Sequence, residues 1–361
     1  MNSQPEYWNR LLDEIVKEER EIALMEVCGT HTMAIAKSGL RNLLPPNLKL
    51  LSGPGCPVCV TAQGDIDAVI ELAGKPGVIM VTFGDMMRVP GTTSSLQEAR
   101  SQGADVRVAY SPLDALAIAQ RNPDKEVVFL GIGFETTAPA VAICADQARA
   151  QGLNNFSIFS LHKVVPPALE VIFSMPDMKI DGLICPGHVS IVIGLEPYEE
   201  LVEKYHRPCV VTGFETQDIL EGVYMLIKQI RQGEARAEIQ YQRVVKNAGN
   251  PVAQQILEEV FQPADARWRG IGNIPGSGLE FRPEYECFDA RKRFAIEDRE
   301  DIPIKGCACG EVLTGKITPQ DCALFGRACT PLKPIGPCMV SHEGACAAYY
   351  RYSPPTPSKK G

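Results

Sequence analysis

The pair Cys56-Pro57-Val58-Cys59 follows a short apolar run and the turn Gly53-Pro54-Gly55. A Cys-x-x-Cys pair placed between a strand and a helix gains thiolate character from the positive helix end. Such a pair either cycles between dithiol and disulfide, binds a soft metal through both sulfurs, or is a buried structural pair. A second junction of the same kind is Glu26-Val27-Cys28-Gly29-Thr30-His31-Thr32. Here Cys28 ends a strand, and His31 helps to ionise it, shares a metal with it, or is a satisfied, partly buried histidine. The strand ends of a parallel sheet converge on one edge. Cys28, Cys56 and Cys59 are therefore expected to face one cleft, a donor set for a soft or borderline metal with open positions.

The third group is Cys307, Cys309, Cys322, Cys329, Cys338 and Cys346, with twelve, six, eight and seven residues between successive members after Cys309. Tight zinc-ribbon knuckles are absent, and wide spacing through loops suits an iron–sulfur cluster better than a structural zinc, which stays as the alternative. Cys144, Cys185, Cys209 and Cys287 are scattered, and three of them sit in apolar surroundings expected to bury them. Glu135 and Glu215 stand in two Gly-Phe-Glu-Thr turns, where they cap a helix or reach a cleft. His162, Lys163 and His188 follow apolar strands, and both histidines are candidates to line the cleft. Gly131-x-Gly133 lacks the third glycine of a dinucleotide fingerprint, and there is no phosphate loop or hydrolase-type nucleophile–base set.

These junctions need a sheet to hold them. Apolar runs ending in Gly-rich turns and followed by helical patterns predict strands near 22–27, 48–51, 78–83, 106–110, 127–132, 157–160, 182–185 and 209–212. The repeated turns suggest a duplicated half, so the expected fold class is α/β, with two similar doubly wound parallel-sheet domains and a small Cys-rich iron–sulfur domain. The expected division is an N-terminal amphipathic helix in 1–21 packed on the C-terminal domain, α/β domains at 22–125 and 126–245, a Cys-rich domain at 246–352 and a disordered tail at 353–361. Trp8, Leu11, Leu12, Ile15 and Val16 mark the helix. The Cys-rich segment is too poor in apolar residues to fold without a metal or cross-links.

Thirteen cysteines in 361 residues, with no readable signal peptide, point to thiol or metal chemistry in a reducing compartment rather than to a secreted disulfide scaffold. A net charge of −8 without a basic run argues against nucleic acid or an anionic membrane as partner, and no apolar run approaches a membrane span. The expected location is the cytoplasm.

The motifs Cys28-Gly29-Thr30-His31, Gly53 to Cys59, Gly84-Asp85-Met86-Met87-Arg88-Val89-Pro90-Gly91, Gly133-Phe134-Glu135-Thr136-Thr137 and Cys338 to Tyr350 together resemble the hydrogenase maturation protein HypD family. The resemblance runs from about residue 22 to 352. It implies a scaffold carrying the iron on which the Fe(CN)2CO unit of nickel–iron hydrogenases is assembled. The implied partners are the small chaperone HypC, the thiocyanate-bearing cyanide donor HypE with HypF upstream, and transiently the hydrogenase large subunit through HypC. Carried over, Cys28, Cys56 and Cys59 handle the iron, with His31 beside them. Four of Cys309, Cys322, Cys329, Cys338 and Cys346 hold a 4Fe–4S cluster. Releasing cyanide from a thiocyanate needs two electrons, which a Cys-x-x-Cys pair supplies and a cluster relays singly. The competing readings are a cluster-linked dithiol reductase acting on protein disulfides and a zinc-stabilised binding scaffold.

Overall fold

A computed structural model describes residues 4–353 except Asp177 and Pro303. All eight predicted strands are present as β1 (Ile22–Glu26), β2 (Leu48–Ser52), β3 (Val78–Thr82), β4 (Asp105–Val108), β5 (Glu126–Gly131), β6 (Phe156–Ser160), β7 (Gly182–Pro186) and β8 (Cys209–Thr212). A short β9 (Ala237–Ile239) and an antiparallel hairpin of β10 (Phe261–Trp268) and β11 (Gly272–Phe281) follow. The chain is α/β, with two parallel sheets of order β2-β1-β7-β8-β9 and β4-β3-β5-β6. Both begin with the same winding: the first strand of the set lies second, and the chain then reverses direction across the sheet. That reversal leaves a crevice between β1 and β7 in one sheet and between β3 and β5 in the other.

The strands divide differently from the linear split at 125/126. β3–β6 form one sheet as a continuous stretch, whereas β1 and β2 pair with β7–β9 from the far side of it. The second sheet is thus inserted within the first. The reason is the two-sided burial of every central strand. Alternate residues of β3 and β5 go to opposite sides, with Ile79, Val81, Val127 and Phe129 in an outer core and Met80, Val128 and Leu130 in an inner one. The first sheet does the same, with Leu24, Leu48, Leu50, Ile184 and Val210 outside and Met25, Leu183, Cys185 and Val211 inside. The inner core is common to both sheets and includes Cys56, Cys59, Cys309 and Cys338.

The N-terminal helix Gln4–Val16 packs on the first sheet, not on the Cys-rich region. Leu11 and Ile15 join Ile219, Val223, Leu226 and Ile227 of helix Thr216–Gln232, and Tyr7 Oη donates to Glu221 at 2.5 Å. Its apolar stripe simply meets the nearest unpartnered apolar face of that sheet's helical layer. The hairpin β10–β11 likewise leaves the expected Cys-rich unit. Phe261 and Phe281 close the outer core of the second sheet with Tyr285 and Phe288, while Trp268 and Ile274 enter the inner core. Of the segment 353–361 expected to be disordered, only Ser353 is among the described residues.

Because Ile15 is fully buried, Ile15→Ala should cost roughly 2–5 kcal/mol, read as a lower denaturation midpoint. A variant of native stability would contradict this packing.

Candidate functional site: a cleft between two strand crevices

The β1–β2 register pairs Glu26 with Ser52, so the two chains leave the sheet side by side. Gly53 N–H donates to Glu26 O at 2.7 Å, and Gly29 N–H to Gly55 O at 2.8 Å. A Cβ on Gly55 would lie 2.2 Å from Cys28 N, so only glycine allows this approach. Cys28 N-caps helix Gly29–Ser38 in extended conformation. Cys56 N-caps the short helix Pro57–Val60, its sulfur accepting from Cys59 N–H at 3.2 Å with proline in the first turn. Cys56 and Cys59 form a disulfide, Cα to Cα 5.2 Å.

The crevices of the two sheets open toward each other. A cavity of about 290 Å³ is lined by Cys28 and Pro57 from the β1 and β2 ends, Phe83 and Phe134 from β3 and β5, His188 from β7, and Glu343 from the C-terminal segment. Cys28 reaches it directly. Cys56 and Cys59, almost wholly buried, are flanked by the lining residues Pro57 and Val58 but do not line it themselves. Among the described residues no group of three Cys, His, Asp or Glu is arranged around a single-ion position.

Burial pushes the Cys28 thiol up to about 12, although the amides of His31 and Thr30 face its sulfur. The helix end alone therefore does not ionise Cys28; burial outweighs it. The His31 ring is turned away. Its Nε2 lies 2.9 Å from both Gly213 O and Thr212 Oγ1, and it stacks on Phe214 at 4.7 Å. Burial drives it down to about 4, so it is a neutral interior histidine whose backbone amide, not ring, serves Cys28. Phe214 stacks in turn on the cleft residue His188 at 4.0 Å. His162 is buried beside Ser160 and outside the cleft, and Lys163 donates to Arg267 O at 2.8 Å.

Sequence reasoning passed over Glu26. It is fully buried, accepts from Cys28 N–H at 3.2 Å and from Thr32 Oγ1 at 2.6 Å, and is raised by that burial to about 7. The available signal was a lone carboxylate closing an apolar strand. Glu343 was also missed. Its Oε1 accepts from Thr30 Oγ1 at 2.7 Å, and a Cβ on Gly29 would collide with its Cβ at 2.3 Å. Glu135 and Glu215 are caps. Glu215 heads helix Thr216–Gln232, and Glu135 Oε1 accepts from Val165 N–H at 2.8 Å at the start of helix Val165–Ser174.

The C-terminal cysteines gather in one apolar pocket. Cys309, Cys322, Cys329, Cys338 and Cys346 line it, and so does Cys307, which was not in the expected ligand set. Cys309 Sγ and Cys338 Sγ are 2.8 Å apart. Its contacts with Cys307 and Cys338 hold Cys309 well below the usual thiol range and push those two thiols up; the Arg269 charge adds to the first effect. This pocket is joined to the Cys56–Cys59 pair. Helix Pro337–Val340, which carries Cys338, shares the inner core with Pro57–Val60, and Ser341 Oγ lies 3.3 Å from Cys56 Sγ. Cys144, Cys185 and Cys209 are buried free thiols, and Cys287 is exposed.

The family described as "HypD: Hydrogenase formation hypA family" matches residues 6–353. The chain belongs to the HypD family. A hydrogenase maturation factor HypD from Rhodobacter capsulatus is 48% identical over 95% of this chain and 93% of its own. One from Escherichia coli (strain K12) is 49% identical over 92% and 90%. A putative hydrogenase expression/formation protein from Methanocaldococcus jannaschii is 45% identical over 95% and 94%. No helix among the described residues of this HypD family member is long and apolar enough to cross a membrane.

Gly55→Ala should force Cys28 and its loop away from the β2 turn, costing about 1–3 kcal/mol as overpacking does. Native stability would contradict the close approach. Glu135 makes a pH prediction. Burial raises its folded-state value from 4.5 to about 7, so the folded chain holds the proton more tightly than the unfolded one. Its contribution to stability falls as pH rises from about 4.5 to 7. Glu135→Gln keeps an acceptor for Val165 N–H and removes the titration. Relative to the native protein it should gain on the order of 3 kcal/mol across that window. Parallel pH–stability curves would refute the assignment.

Proposed function

We propose that this chain is a scaffold on which the Fe(CN)2CO unit of a nickel–iron hydrogenase is assembled. The observation that carries the reading is the convergence of both strand crevices on a single cleft, with Cys28 on its wall and the Cys56–Cys59 disulfide beside it. The iron is the cargo. Cys28 is buried and protonated on its own, so a bound cation is what makes it a thiolate, as coordination does for thiols generally. A soft thiolate suits iron bearing strong-field diatomic ligands, and the cleft leaves room for their delivery.

Cyanide arrives as a thiocyanate on the terminal cysteine of a HypE-like partner. Breaking the S–C bond needs two electrons. The Cys56–Cys59 dithiol gives two electrons and two protons as it closes to the disulfide. The carrier leaves as a thiol, and cyanide goes to iron with release of the second proton. A small HypC-like protein closes the cleft and hands the unit on. The dithiol-reductase alternative is weakened by burial, since Cys56 is 3% exposed and Cys59 0%. Pro57 and Val58 of the same turn line the cleft, so the pair lies directly behind its wall.

The Cys-rich pocket fits a 4Fe–4S cluster by its donor chemistry. Six cysteines line one apolar pocket without a competing oxygen or nitrogen ligand. Four of Cys309, Cys322, Cys329, Cys338 and Cys346 would hold it, and Cys307 stands ready as a further thiol. A cluster supplies single electrons at low potential. The chain's own part is to keep the site dry and to place Ser341 against Cys56.

Anaerobically isolated protein should be brown and contain about four cluster irons with matching sulfide; stoichiometric zinc without sulfide would overturn the cluster assignment. Co-expressed with a HypC-like protein, it should elute as one complex. Cys28→Ala should abolish the infrared cyanide and carbonyl bands while the cluster's visible absorption persists. Full diatomic bands in that variant would place assembly elsewhere.

A further inference from the structure

At the end of β10 the chain lies along the helix that carries Cys59. Thr61 and Trp268 form an antiparallel bridge, and Arg269 N–H donates to Val60 O at 2.8 Å. The Arg269 side chain is only 7% exposed. Its Nε donates to Thr61 O at 2.9 Å and its Nη1 lies 3.5 Å from Gln63 Oε1, while Nη2 is buried with no hydrogen-bond partner. Among the described residues no carboxylate pairs with it. The next residue, Gly270, has φ +76°, and a Cβ there would lie 2.2 Å from Gly310 Cα. The hairpin turn is therefore pressed against the backbone beside Cys309. Arg269 thus sits between Trp268, bridged to the end of the Cys56–Cys59 helix, and Gly270, packed against the residue that follows Cys309.

A guanidinium stays charged at any pH the protein meets, and buried without a counter-charge it is strongly destabilising. The cysteine pocket begins one residue from the contact of Gly270 with Gly310, at Cys309. Four thiolates around an iron–sulfur core carry net negative charge, and that charge and its surroundings set the reduction potential. We propose that Arg269 is the counter-charge of the loaded cysteine pocket: a positioning residue that raises the cluster's reduction potential while fixing the pocket to the Cys56–Cys59 helix. The inference rests on the cluster reading above and goes beyond it, because it assigns the control of potential to a residue outside every cysteine motif.

Arginine suits the position better than lysine for geometry. Its Nε holds Thr61 O while the far end of the planar fork stays directed elsewhere. Charge, however, is what the cluster senses, so Arg269→Lys and Arg269→Gln separate the two contributions. The full-length chain is reconstituted anaerobically with iron and sulfide. Iron and sulfide contents and far-ultraviolet circular dichroism are measured, and the cluster is titrated with dithionite under electron paramagnetic resonance. With native iron, sulfide and dichroism, Arg269→Gln should shift the midpoint to more negative potential, and Arg269→Lys should restore most of it. A Gln variant that folds but takes up no cluster, beside a Lys variant that does, also supports the counter-charge. An unchanged midpoint in Arg269→Gln overturns the proposal and leaves the cluster reading standing. So does a shift that lysine fails to restore, or a folded protein that loses the cluster in both variants. If the native chain itself binds no iron and sulfide, the cluster reading fails and this inference falls with it.

Discussion

The site depends on one backbone contact. Gly55 lies against the Val27–Cys28 peptide so closely that no side chain fits between them. Parallel pairing of β1 with β2 brings the two chains out of the sheet side by side, and the paired hydrogen bonds from Gly53 and Gly29 lock the two loops together. Each loop then starts a helix, with a cysteine as its N-cap. The relation between Cys28 and the Cys56–Cys59 pair is thus set by main-chain geometry, which side-chain rotamers cannot loosen. The same design recurs at Gly29, where close approach admits Glu343 from the C-terminal segment to the cleft wall.

Around that contact burial shifts several ionisable groups toward their neutral forms. Glu26 and Glu135 are lifted to about 7, His31 is lowered to about 4 and His162 to about 3, all chiefly by burial. Groups shifted in this way position a backbone with less charge next to the cleft than ordinary carboxylates would. Glu26 ties the Cys28 amide to Thr32 across the first helical turn, and Glu135 heads helix Val165–Ser174. Arg269 is the contrast, since a guanidinium cannot shed its proton. It keeps a fixed positive charge in the interior, held by Thr61 O and Gln63 beyond the Cys59 helix.

Much of this was legible in the sequence, for identifiable reasons. The eight strands announced themselves because each is a short apolar run closed by a glycine turn, and Cys28 and Cys56 stand where such runs end. Which strands pair was hidden. β4 and β5 are consecutive and belong to one sheet, yet the repeated turns invited a cut between them; pairing is decided by which faces must be buried, not by order. The hairpin β10–β11 was hidden too, because its glycines and prolines, among them Pro263, Pro275 and Gly276, read as loop. A register shift between Ala264 and Ala266 lets the strand carry such residues. His31 illustrates the limit at the site. Spacing put it near Cys28, but helical geometry carries its ring to the other side of the turn, onto Gly213. Arg269 had no sequence signal, since its meaning comes from a contact with a chain more than two hundred positions away.

The interleaving of the two sheets also bears on how the cysteine pocket is built. The segment after Gly306 has little core of its own, but its elements dock on older parts of the chain. Val340 and Cys338 enter the inner core beside Val58 and Cys59, and helix Ala345–Tyr352 brings Tyr349 under the Arg41 guanidinium, 4.7 Å from its ring. Gly310 meets Gly270 of the hairpin, itself bridged to Thr61. The pocket is lined by residues between Cys307 and Cys346, and these contacts hold that segment to the body that folds through its sheets. Metal binding and folding are coupled where ligands come from such a segment. Here Ser341 and Glu343 lie on the same segment as the cysteines and touch Cys56 and the cleft, while the hairpin turn that meets Gly310 touches the Cys59 helix. The cysteine pocket and one wall of the cleft are thus built by a single segment, so a change in the packing of one reaches the other through Ser341 and Glu343.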